Sequence, residues 1–240
     1  MRILYVFPHP DDESFGPARG IAAHVRDGHE VHLLTLTRGG ATKERHRFGY
    51  TVEEMGAVRQ REMECVAREL GLQTLTVLDL PDGGLKDLDP AALETTIENH
   101  VVSTSPDVVV TYPVQGISGF ADHLVTHAAV VRVYRRLKSV ADQSPGRLAF
   151  VALTEDQAAQ GPGVHRLFAS SSADIDCVQT VREEDMERFR AALDCYETYR
   201  TMIERTGVKE MLDRRVAYEF YDERFDPPVR TLCAGMAGRG

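Results

Sequence analysis

The chain has 240 residues, 42% of them hydrophobic and 27% charged, which suits one large soluble domain with a substantial core, or at most two small ones. Its 37 acidic against 28 basic side chains give a formal charge of -9, which opposes attraction to phosphate backbones or anionic lipid, so no nucleic-acid partner is expected. The apolar run Ile3 to Phe7 is too short for a signal-peptide core or a spanning helix, so no membrane insertion is expected and the predicted location is cytoplasmic. Cys65, Cys177, Cys195 and Cys233 form no C-x-x-C pair, and in that compartment they are expected as reduced, mostly buried thiols.

In chain order, Ile3 to Phe7 reads as a buried strand stopped by Pro8 and Pro10, and residues 17–26 as a helix with proline in its first turn and Asp27-Gly28 as its stop. Residues 31–37 form the next strand. Residues 39–52 are polar and basic without a clear period, a candidate lid, and lead to an apolar stripe, Met63, Val66, Ala67 and Leu70, on a helix closed by Gly71. Residues 74–80 read as a strand, 81–84 as a turn, and Asp89-Pro90 as an N-cap with proline at the first helical position. A strand over 107–112, a turn over 116–119 and a helix over 121–138 follow. Further strands are predicted over 148–153, 175–181 and 216–221, with one long amphipathic helix over 183–205. Such alternation predicts an α/β fold of three layers, Rossmann-like, with a mostly parallel sheet flanked by helices. No linker interrupts it, so residues 1–233 are taken as one domain and 234–240 as a flexible tail.

The chemistry concentrates at two strand ends. His9-Pro10-Asp11-Asp12-Glu13 follows the first strand, and Asp122-His123 with His127 follows the fourth. In a parallel sheet both loops leave the same edge, so the clusters can meet although they are far apart in sequence. Two imidazoles and one carboxylate make a three-ligand zinc site with a fourth position open to water, the pattern of a catalytic centre, and the spare carboxylate Asp11 can serve as base. Two blander readings stand beside this: the acidic residues can cap the following helix, and a surface histidine often has no role. A set of His9, Asp11 and His123 also fits the two-histidine, one-carboxylate iron triad, although the alternating strands and helices count against it. The glycines at 16, 20, 39 and 40 form no G-x-G-x-x-G after a strand, so no dinucleotide site is expected.

With these residues in place, the sequence resembles the PIG-L/LmbE family of zinc-dependent N-acetylglucosaminyl deacetylases. The first family motif stands intact as His9 to Glu13, and the second as Gly119-Phe120-Ala121-Asp122-His123; Arg59-x-x-Glu62, Leu80-Pro81-Asp82-Gly83 and Glu219-Phe220 fit as well. The resemblance implies an LmbE-like fold and zinc held by His9, Asp12 and His123, with ferrous iron as the alternative metal. It further implies Asp11 as general base toward water at the metal, and Arg59 and Asp82 as substrate-binding residues, although Arg59 can equally pair with Glu62 on its own helix; Asp122 suits a catalytic group orienting a ligand imidazole, or a carboxylate favoured by the helix dipole. The expected reaction is removal of an N-acetyl group from an amino sugar or glycoconjugate, and relatives are often homo-oligomeric.

One position departs from the family. Phe120 stands where the family usually has a histidine held to stabilise the oxyanion or protonate the leaving amine, and a phenyl ring can do neither. Three explanations are open: Asp11 returns its proton to the amine, another group such as His127 or Asp122 substitutes, or the protein is a weakened relative that binds metal and glycoconjugate. The first is favoured, because one carboxylate can act as base and then as acid. His127 shares a helix face with His123 and reads more simply as a partly buried histidine without a chemical role.

Overall fold

The structure, a computed structural model, describes residues 1–140, 145–159, 166–211 and 213–237. Seven strands, β1 (Arg2–Phe7), β2 (Glu30–Thr37), β3 (Thr74–Leu80), β4 (Val108–Thr111), β5 (Arg147–Ala152), β6 (Cys177–Thr180) and β7 (Arg215–Phe220), form one sheet in the order β3-β2-β1-β4-β5-β7-β6. The first five are parallel; β7 runs antiparallel to β5 and to β6. The helices are α1 (Asp12–Phe15), α2 (Ala18–Arg26), α3 (Arg45–Phe48), α4 (Val52–Leu70), α5 (Pro90–Thr104), α6 (Ala121–Lys138), α7 (Glu155–Ala159), α8 (Glu183–Asp194) and α9 (Arg200–Thr206).

Strand β1 is apolar throughout because both its faces are covered. Ile3, Tyr5 and Phe7 join the core that α2, α4 and α8 lay on one face, and Leu4 and Val6 join the core built with α5 and α6 on the other. The three-layer α/β architecture predicted from the sequence is the one observed. Local chemistry sets the helix ends: Thr51 and Glu54 make a reciprocal capping box at the start of α4, and Gly71 closes it with φ 72°.

Two expectations are corrected. The helix predicted over 183–205 is broken: α8 stops at Asp194 and α9 starts at Arg200, with a single 3₁₀ turn, Glu197–Tyr199, between them. Tertiary contacts override helical propensity here, since Tyr196 and Thr198 point into the molecule and bond to Glu13 and Glu62. The second correction concerns the thiols: Cys65 on α4 and Cys195 at the end of α8 are joined in a disulfide across 130 positions, whereas Cys177 and Cys233 are free. The packing of α4 against α8, which no local spacing records, brings the two together.

The candidate lid contains one helical turn, α3, and the rest of it is irregular. Of the expected tail, the carbonyl of Ala234 accepts from Arg147 (3.1 Å) and Met236 packs against the core, while residues 238–240 fall outside the described residues. Among the described residues no helix is long and apolar enough to cross a membrane.

Candidate metal and catalytic site

Strands β1 and β4 are neighbours, yet the chain leaves β1 toward β2 and leaves β4 toward β5, on the opposite side. Their C-terminal ends therefore flank the switch point of the sheet, where open α/β sheets form their crevice. Two loops emerge there. The first carries His9, Asp11 and Asp12; Asp11 adopts a left-handed conformation (φ 84°), and its carbonyl accepts from the amides of Ser14 and Phe15 at 2.9 and 2.8 Å to start α1. The second runs through Gly116 to Phe120 and delivers His123 on the first turn of α6. Gly116 has φ 64° and sits so close to His123 that a Cβ would come within 2.9 Å of the histidine's own, so the turn requires glycine.

His9, Asp12 and His123 converge, with one ligand atom from each lying within 4.8 Å of the others. Asp12 is buried: its Oδ2 accepts from the His9 amide (2.9 Å) and its Oδ1 from the Tyr112 hydroxyl (2.7 Å). His123 Nδ1 lies 2.9 Å from the Gly116 carbonyl oxygen and 3.1 Å from Ser118 Oγ. A carbonyl only accepts, so Nδ1 carries the proton and Nε2 turns its lone pair toward Asp12, 3.4 Å away. Tyr112 stacks flat on this imidazole, ring centroids 4.2 Å apart at 8°.

His9 is oriented in the same manner. Its Nε2 points at Asp122 Oδ2 (3.2 Å) and Asp82 Oδ1 (3.4 Å), and its Nδ1 at Asp12 Oδ2 (3.5 Å). Asp122 is fixed by the amides of Gly83 (2.8 Å) and Leu85 (3.2 Å), and Asp82 accepts from the amide of Ala41 (2.7 Å) in the candidate lid. His9, Asp82 and Asp122 could by distance form a second metal group, but it shares His9, and the two carboxylates already serve as acceptors for the imidazole N–H.

The electrostatics fit a cation. Burial opposes a charged His9, yet hydrogen bonds to Asp12 and Asp122 and the charge of Asp82 outweigh it and hold its pKa up at about 10. Burial holds His123 below the usual histidine range, which keeps its lone pair available. Burial likewise works against ionised Asp12, but His123 and His9 win and keep it below the usual carboxylate range. A cluster that retains a proton so firmly where two nitrogens and a carboxylate converge is a natural seat for a divalent ion.

Asp11 stands beside this set. Burial and the charge on Asp12 push its pKa up to about 6, against the pull of Arg59, which is a suitable range for a base at neutral pH. The Arg59 guanidinium is only 2% exposed; it pairs with Asp11 and donates to the carbonyls of Pro10 (2.9 Å) and Gly39 (3.1 Å). This expected substrate contact therefore lies behind Asp11, and Glu62 is engaged not with Arg59 but with the Thr198 amide (2.8 Å) and hydroxyl (2.7 Å). Phe120 stands at the N-cap of α6, is 46% exposed, and makes a T-shaped contact with His123, ring centroids 5.5 Å apart. His127 donates from Nδ1 to the Tyr112 carbonyl (2.8 Å) and packs on Phe150. The sequence reading missed Tyr112, Tyr196 and Tyr199; the place of Tyr112 at the end of the fourth strand was the one available signal.

The chain matches the family model GlcNAc-PI de-N-acetylase (PIG-L) over residues 4–134. It is 31% identical over 158 residues, 55% of this chain and 44% of the relative, to a 1D-myo-inositol 2-acetamido-2-deoxy-alpha-D-glucopyranoside deacetylase of Kineococcus radiotolerans. The chain spans about half the length of the curated relatives it matches. Among solved structures it resembles a deacetylase of teicoplanin biosynthesis (TM-score 0.68, 16% identity, 93% of this chain and 100% of that one). It equally resembles GalB, a 4-carboxy-2-hydroxymuconate hydratase of Pseudomonas putida (TM-score 0.68, 14% identity, 93% and 97%). The fold by itself thus does not choose the reaction.

Proposed function

Because the chain belongs to the GlcNAc-PI de-N-acetylase (PIG-L) family, we propose that it is a metal-dependent hydrolase that removes an N-acetyl group from an amino sugar or glycoconjugate. The observation that carries this reading is the convergence of His9, Asp12 and His123 with Asp11 beside them. Residues 1–233 are proposed as one catalytic unit, in keeping with a sheet that runs unbroken from β3 to β6.

His9, Asp12 and His123 would hold the ion, zinc or ferrous iron, which when bound supplies Lewis acidity to the acyl carbonyl and acidifies water. Asp11 accepts the proton of the attacking water and returns it to the departing amine, which dispenses with an acid at position 120. Asp122 and the Gly116 carbonyl fix the two imidazole tautomers, and Tyr112 restrains Asp12. Asp82 ties Ala41 of the candidate lid to the rim of the site, a position from which either can meet the sugar. A cytoplasmic setting fits the composition; the Cys65–Cys195 disulfide weighs against it, because such bonds are rare in reducing compartments.

Metal content of the purified protein, measured together with amine release from a panel of N-acetylated sugars, tests the proposal. Release that stops with chelator and returns with zinc supports it; bound metal without release from any sugar favours a second reading, motivated by Phe120 against His123, of a binder with weakened catalysis. Phe120→His separates these: a gain of roughly a hundredfold or more, the size of a general-acid contribution, marks impairment at that position, and no gain favours an acid elsewhere, Asp11 first among them.

A further inference from the structure

The break between α8 and α9 lies against the site, and its Tyr196, Thr198 and Tyr199 reach residues around Asp11. Cys195 is bonded to Cys65 on α4. Tyr196 is buried; its hydroxyl accepts the Asp11 amide (2.7 Å) and donates to Glu13 (2.7 Å). Thr198 donates twice to Glu62 of α4, and the ring of Tyr199 lies 4.3 Å from the Arg59 guanidinium that pairs with Asp11. Asp11 gains from this support, since its left-handed backbone is a strained conformation for a residue with a side chain. Its amide is held by Tyr196 and its carboxylate by Arg59, and both holders rest on the segment that the disulfide fastens to α4.

We propose that Tyr196 is a positioning residue for Asp11, and that the Cys65–Cys195 disulfide sets how firmly it acts, so that hydrolysis weakens when the bond is reduced. The proposal rests on the reading of Asp11 as the base. Both cysteines are half-buried and within reach of a small reductant. A water-soluble trialkylphosphine carries the step: phosphorus loses two electrons and gains an oxygen from water as the phosphine oxide, and the S–S bond takes those electrons and two protons to give two thiols.

The test is hydrogen exchange of the peptide spanning residues 8–15, followed by mass spectrometry, with kcat and KM measured in parallel on zinc-loaded protein. Wild type before and after phosphine is compared with Tyr196→Phe and Cys195→Ser. Expected are faster exchange and a kcat roughly tenfold lower in Tyr196→Phe, the order of one lost hydrogen bond, with KM and zinc content unchanged. Reduced wild type should move in the same direction, and Cys195→Ser should no longer respond to phosphine. Unchanged exchange in both Tyr196→Phe and reduced wild type overturns the proposal; a response in the variant without one on reduction overturns the role of the disulfide. Full hydrolysis by Asp11→Asn would instead overturn the reading of the base, and the exchange result would still report on the grip of Tyr196.

Discussion

Tyr112 touches two of the three converging side chains at once: its ring lies flat on His123 at 4.2 Å while its hydroxyl donates to Asp12 at 2.7 Å. Removing the hydroxyl leaves the stacking intact and frees one carboxylate oxygen. Tyr112→Phe is therefore expected to lower zinc affinity roughly 10- to 100-fold, as loss of a supporting partner commonly does. Competition with a chromophoric chelator measures this; an unchanged affinity would show that Asp12 needs no such restraint.

His123 and His127 share a helix face but have different partners. His123→Ala should abolish zinc retention, whereas His127→Ala should keep zinc and lose only the bond to the Tyr112 carbonyl, about 1 kcal/mol of stability. Metal analysis and kcat on both variants decide. A zinc-replete His127→Ala protein with kcat down a hundredfold would make His127 the acid that Phe120 cannot be.

Arg59 was read from the sequence as a substrate contact, and its burial against Asp11 predicts a different signature. Arg59→Met should unfold in urea with a stability lower by about 3–5 kcal/mol, because it strands a largely buried carboxylate. A residue that merely touched sugar would raise KM at unchanged stability.

His24 supplies a pH prediction away from the site. Burial first, then the charges of His29 and Arg26, depress its pKa to about 3, and its Nδ1 meets the Tyr5 hydroxyl at 3.1 Å. The unfolded chain takes up this proton near 6.5 and the folded one does not until about 3. This contribution is thus fully present above 6.5 and is lost as pH falls toward 3, at a slope approaching about 1.4 kcal/mol per pH unit. Urea midpoints between pH 4.5 and 7 should fall less steeply with acidification in His24→Gln than in wild type; parallel profiles would refute it.

The groups that converge were legible because their pattern is local: a strand that stops at proline with His9 and Asp12 three positions apart, and a helix that opens on Asp122 and His123. The helix over 121–138 and the strand over 74–80 were legible for the same reason, through caps and period. What supports the site was not. Tyr112 and Tyr196 were missed, since nothing in their neighbours records that one bonds Asp12 and the other the Asp11 amide. Arg59 was expected to meet sugar on the strength of the family resemblance, and nothing in its neighbours records that Gly39 and Pro10 enclose it from other loops. The broken helix and the Cys65–Cys195 bond escaped for a common reason: both follow from how α8 meets α4.

The adjacency of β1 and β4 at the switch point has a temporal consequence. His9 and Asp122 are 113 positions apart, and nothing brings their loops together until β4 docks beside β1. An emerging chain that has completed β1, β2 and β3 would own His9 and Asp12 of the three proposed ligands and no closed site for an ion. At ordinary rates of synthesis His123 follows the end of β3 by roughly 2–9 s. On the proposed metal site, ion uptake would be a late event that reports completed docking, and a nascent chain arrested before α6 should be silent to a zinc-responsive probe.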